Sequence, residues 1–71
     1  MDAAPQELDV VALLTDRPDL SLARAQTGTI VGRWADDVWE VEFVDPQGRT
    51  YAMAALPTAE LLVLPNEPAP A

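Results

Sequence analysis

From Val38 to Val44 the chain reads VWEVEFV. Trp39, Val41 and Phe43 alternate with Glu40 and Glu42, so successive side chains take opposite sides with a period of two. Only a β-strand puts such a pattern on two faces, one apolar and one carboxylate. The stretch is closed by DPQG at Asp45–Gly48. Asp at the first position, Pro at the second and Gly at the fourth are the residues of a type I turn. Strand and turn together predict a meander of antiparallel strands.

The flanks continue the period. In TGTIVGRW, Thr27–Trp34, one face is expected to carry Gly28, Ile30, Gly32 and Trp34, and the other Thr29, Val31 and Arg33. The ADD segment at 35–37 joins this strand to the next as a tight hairpin. Gly28 and Gly32 mark bulges or bends. Arg49–Leu56 forms a further strand. Pro57–Glu60 reads as one 3₁₀ turn, with Pro57 fixing φ. Leu61–Leu64 is a last short strand before Pro65.

The first segment, Leu8–Leu14, is ambiguous by spacing, since Leu8, Val11 and Ala12 also suit a helix. Its shortness and its adjacent Val10 and Val11 favour a buried strand. Thr15–Gln26 is a long polar loop, in which Ser21 suits the cap of one helical turn through Ala25. The fold expected is all-β: a five-stranded Src-homology-3-like (SH3-like) barrel with a long first loop and a 3₁₀ turn before the last strand. Residues 1–7 are expected to be a flexible start, 8–64 the barrel, and 65–71 a disordered Pro/Ala tail that could also act as a short polyproline ligand.

Composition narrows the chemistry. The 71 residues contain neither cysteine nor histidine, and the four basic residues are all arginines. The commonest general base, the usual zinc ligands and the best nucleophile are missing. Ser21, the single serine, has no base to activate it. An enzyme is not expected, nor is a cofactor. Net charge is −8, which opposes binding to nucleic acid and suits a basic protein surface. No apolar run has the length of a membrane span, and Met1–Asp9 has neither the basic nor the apolar part of a signal peptide, so a cytoplasmic location is expected.

The sequence also resembles a known family. An Asp-Val-Val-Ala-Leu strand at Asp9–Leu13, Gly-Thr-Ile-Val at Gly28–Val31, Glu-Val-Glu-Phe at Glu40–Phe43 and Gly-Arg-Thr at Gly48–Thr50 are similar to the bacterial domain-of-unknown-function family 4926. The likeness runs from about Leu8 to Leu64. Arg17-Pro18 stands where the family has Leu-Pro, and Gly32 where many members have Glu. The resemblance implies a small β-barrel similar to KOW-type and photosystem-accessory barrels. It implies no catalytic residues, and an accessory or antitoxin/immunity-type role. The Gly28–Gly32 stretch is similar to a KOW-type turn, which touches RNA in ribosomal factors; acidic flanks and the lack of a basic stripe favour a barrel bend here.

The candidate contact residue is Trp34. It ends its strand beside the hairpin, where a groove between the long loop and that turn would lie. Asp16, Asp19, Asp36 and Asp37 form its expected rim, with Glu40 and Glu42 on an acidic outer face. Arg17, Arg24, Arg33 and Arg49 are candidates to stack on the indole. Trp39 is expected in the core by its register with Val41 and Phe43. The acids lack the spacing of a calcium loop, so no metal is expected. The leading expectation is a non-catalytic module that docks on a basic protein surface. The alternative is a structural barrel that self-associates or serves a larger complex, motivated by a first strand apolar on both faces: Val10, Ala12 and Leu14 against Val11 and Leu13.

Overall fold

A computed structural model describes residues 4–65. Five strands form one antiparallel sheet: β1 (Val10–Leu13), β2 (Thr27–Ala35), β3 (Val38–Val44), β4 (Thr50–Pro57) and β5 (Leu61–Val63). Their order across the sheet is β4-β3-β2-β1-β5. Three strands therefore run as a meander, and the last returns beside the first.

The alternation of β3 decides which face is buried. Val41 and Phe43 point inward and are fully buried, with Ile30 from β2, Val11 and Leu13 from β1, Ala54 and Leu56 from β4, and Leu61 from β5. Leu22 reaches this core from the long loop, and Leu20 and Trp39 pack at its margin. Trp39 is thus a half-buried border residue of the core rather than its centre. The opposite face carries Glu40 and Glu42. By register, Glu42 lies between Thr29 and Met53, and Glu40 between Gly32 and Ala55.

The Asp45–Gly48 turn forms as expected. Gly48 N–H donates to Asp45 O at 2.8 Å, and the Asp45 carboxylate accepts from the N–H groups of Gln47 and Arg49. Gly48 takes φ 82°, a left-handed conformation that glycine adopts without steric cost. Gly28 serves another purpose. A Cβ there would lie 2.7 Å from Val41 Cγ1 and 2.8 Å from Glu42 O, so β2 and β3 touch where only glycine fits.

Several expectations are corrected. The sheet is not closed: β4 and β5 are its two edges. β4 ends in a proline, which has no N–H to extend a ladder, and β5 has only three residues. The common face of Gly28, Ile30, Gly32 and Trp34 breaks after Ile30, because the β2–β3 register shifts between Ile30 and Gly32 and again between Arg33 and Ala35. β1 is shorter than Leu8–Leu14, since Leu8 takes φ 76° and leaves the extended conformation. The helical turn of the long loop spans Pro18–Leu20, not Ser21–Ala25. Pro18 presets the first position, and Ser21 ends the turn with φ 58° and donates its N–H to Pro18 O. The expected tail beyond Pro65, with its polyproline reading, and residues 1–3 of the expected flexible start lie outside the described residues.

Candidate functional site

Trp34 sits at the second register shift of β2, where an extra residue is inserted before the hairpin. Such a bulge re-aims a side chain. The Trp34 side chain is 67% exposed, the most exposed aromatic side chain among the described residues. Its neighbour Arg33 is engaged twice: it pairs with Asp36 at 2.8 Å and lies 5.8 Å from the centre of the Trp39 ring. Asp36 itself is 98% exposed. Of the four arginines considered as stacking partners, Arg33 is the one over an indole, and that indole belongs to Trp39.

Asp37 is held differently. It takes φ 59°, which aspartate tolerates better than most residues with a Cβ. Its carbonyl accepts the N–H of Thr58 at 2.8 Å and the Thr58 hydroxyl at 3.2 Å. Thr58 Oγ1 also accepts the Trp39 indole N–H at 2.8 Å. The second 3₁₀ turn, Thr58–Glu60, is thereby tied to the β2–β3 hairpin.

The other end of the same turn holds the long loop. Glu60 accepts from Arg17 at 2.9 Å, and Arg17 also bonds both carboxylate oxygens of Asp19. Glu60 O accepts Leu14 N–H. The hydrogen bonds to Asp19 and then Glu60 push the Arg17 guanidinium above its already high range. The hydrogen bond from Arg17 in turn holds the Asp19 carboxyl below its ordinary value. Asp16 is bound within the loop, where it accepts Arg24 N–H at 2.8 Å.

The six carboxylates therefore divide. Asp16 and Asp19 hold the long loop in shape. Asp36 and Asp37 stand at the hairpin beside Trp34. Glu40 and Glu42 project from the outer face of β3, where Glu42 accepts the Thr50 hydroxyl. Thr58 and Glu60, which join the loop to the hairpin, stand outside the residues expected at the site. The need of a partly buried tryptophan for a hydrogen-bond acceptor pointed to a residue like Thr58. Nothing local pointed to Glu60, which lies 43 residues from Arg17.

Among the described residues no three acidic side chains converge in a way that would hold a metal ion. No helix among the described residues is long and apolar enough to cross a membrane.

No curated protein and no solved structure matches the chain significantly. A family model described as "Domain of unknown function (DUF4926)" matches residues 7–63, which takes in all five strands and the long loop. The chain belongs to the domain-of-unknown-function family DUF4926.

Proposed function

We propose that this chain is a non-catalytic, SH3-like protein-binding module of the bacterial cytoplasm that docks on a basic protein surface. The strand order β4-β3-β2-β1-β5 supports the SH3-like reading, as does a 3₁₀ turn that joins the two edge strands. The observation that carries the docking role is Trp34: a large aromatic, 67% exposed, on a bulge beside the Asp36–Asp37 hairpin. Exposed tryptophans anchor interfaces well because they bury much area and order few torsions. Asp36 and Asp37, with Glu40 and Glu42 on the next strand, supply a negative field that would steer a basic partner. Asp16 and Asp19 enter through the loop they shape. Inhibition of the partner, in the manner of an antitoxin or immunity protein, follows if the docked surface covers the partner's own site.

The test is the affinity of the purified pair, once the partner has been isolated by cross-linking in the producing cell. Raising salt from 50 to 500 mM should weaken binding by about tenfold or more, because exposed charges are screened over a few ångströms at high ionic strength. Trp34→Ala should cost at least about 2 kcal/mol, the mark of an anchor residue. Salt-independent binding removes the electrostatic part. An unchanged affinity for Trp34→Ala removes the anchor.

A self-associating structural role is the second reading. It is favoured by the outer side of β1 and β5, where Leu14 and Leu62 are exposed beside Val10 and Ala12.

A further inference from the structure

The free edge of β4 is the feature that points furthest. β4 has eight residues, Thr50–Pro57, pairs with β3 on one side and is the last strand of the sheet on the other. It carries no charged side chain. Edge strands are usually kept from pairing by shortness, charge, proline or a bulge. The other edge, β5, has three residues and is followed closely by Pro65. β4 has a bulge at its start, where Tyr51 is the inserted residue, and proline at its end, but Ala52–Leu56 between them has no such guard.

The phase of the ladder shows which groups face outward. Ile30 donates its N–H to Asp9 O and accepts Leu8 N–H at 2.7 Å, so its peptide groups point to β1. Val41 lies opposite Ile30, and Ala54 opposite Val41. Alternation in an antiparallel ladder then turns Val41 toward β4 and makes Val41–Ala54 a bonded pair. The Thr58 N–H to Asp37 O bond is in the same phase. Met53 and Ala55 lie one step to either side of Ala54, so their N–H and C=O groups face the free edge. Met53 is 53% exposed and Tyr51 47%.

We infer that this edge pairs with the same edge of a second copy, antiparallel, to give a continuous ten-stranded sheet. The proposal shares self-association with the second reading but places the contact on the β4 edge rather than on the outer side of β1 and β5, and it does not rest on the docking of a foreign partner. With a two-fold axis at Met53, Ala52 faces Ala54 of the second copy, and uncharged residues meet uncharged residues throughout.

Charge favours this occupant. Arg49, 79% exposed and 3.5 Å from the Asp45 carboxylate of its own chain, stands just before β4. The Asp36–Asp37 hairpin stands at the other end, where Asp37 O takes the Thr58 N–H. Antiparallel pairing sets each arginine toward Asp37 of the other copy, twice, since Asp36 already pairs with Arg33. Repulsion is small despite a charge of −8 per chain. The nearest outer-face acid, Glu42, lies one strand in, so the two Glu42 residues stand three strand spacings apart, ~14 Å, beyond a screening length of ~8 Å at physiological salt.

The test is sedimentation equilibrium of the full chain over graded concentrations, with thermal melts to establish that each variant is folded. The wild type should show twice the 7.7 kDa chain mass. Met53→Pro removes an N–H that serves the free edge alone. Met53→Lys keeps that N–H and charges the edge, so it reports even if the proline variant fails to fold. Met53→Lys should weaken association by about tenfold or more, a shift of about 1.4 kcal/mol. Trp34→Ala and Leu62→Lys should leave the dimer intact. A wild type monomeric at millimolar concentration overturns the proposal, as does a dimer that Met53→Lys leaves unmoved or that Leu62→Lys breaks. A monomeric wild type whose Met53→Lys variant loses a purified partner would also overturn it, assigning the edge to a foreign strand.

Discussion

The indole N–H of Trp39 donates to the hydroxyl of Thr58 at 2.8 Å, across the gap between β3 and the turn that leads into β5. Thr58 bonds Asp37 O in the same place, so one side chain ties strand, hairpin and 3₁₀ turn together. Thr58→Val keeps the shape and removes both side-chain bonds. The half-buried indole N–H then loses its partner, at a cost of about 1–2 kcal/mol. Thermal unfolding should register the loss, and Thr58→Ser should recover most of it.

Gly28 and Gly32 should respond oppositely to alanine. At Gly28 the new Cβ meets Val41 Cγ1, Glu42 O and, at 3.0 Å, Phe43 Cδ2. A backbone oxygen cannot step aside, so overpacking should cost about 1–3 kcal/mol. At Gly32 nothing lies within 4 Å, and alanine should stay within about 0.5 kcal/mol of wild type. Equal effects in urea unfolding would contradict the close approach at Gly28.

Acid should loosen the long loop first. The hydrogen bond from Arg17 holds the Asp19 carboxyl below its ordinary 3.8. A depressed carboxyl binds fewer protons folded than unfolded, so its contribution is complete above the ordinary value and is lost as pH falls through the folded one. Arg17 stays charged across this whole range and adds no slope of its own. Stability measured from pH 5 down to 2 should therefore fall less steeply in Arg17→Met than in wild type. Identical slopes would place the acid sensitivity elsewhere.

The two tryptophans should separate cleanly. Trp34→Ala should change stability by no more than about 0.5 kcal/mol, because the side chain is mostly in water. Trp39→Ala should cost about 3 kcal/mol, losing the core contact and the bond to Thr58 together. Calorimetry of both variants decides this. A large loss at Trp34 would mean that its side chain supports the fold.

What could be read in advance was what neighbours in sequence decide. β3 was legible from Val38 to Val44 because alternation needs no knowledge of other strands. The Asp45–Gly48 turn was legible because its hydrogen bonds are internal. The exposure of Trp34 was less so: two bulges in β2 arise from how β2 bends against β3, and a period of two has no mark for them. Ser21 looked like the start of a turn and is its end, because Pro18 three residues earlier was the stronger signal. The site divides the same way. Asp36 and Asp37 were placed by their hairpin. The tasks of Asp16 and Asp19 depended on how the loop folds back, and Arg17 meets Glu60 only when the last strand is in place.

The placement of β5 beside β1 also sets a schedule. β2, β3 and β4 follow one another through short turns and pair through local contacts. β1 pairs β2 on one side, but its other side waits for Leu61–Val63, the last strand of the described chain to leave the ribosome. Until then Val11 and Leu13 lack the cover of Leu61 and Val63. Sequence-distant pairing of this kind is slow because it closes a long loop before it yields contacts. A chain truncated after Pro57 would hold a paired β2–β3–β4 meander and an unfinished core, so completion of the fold needs β5.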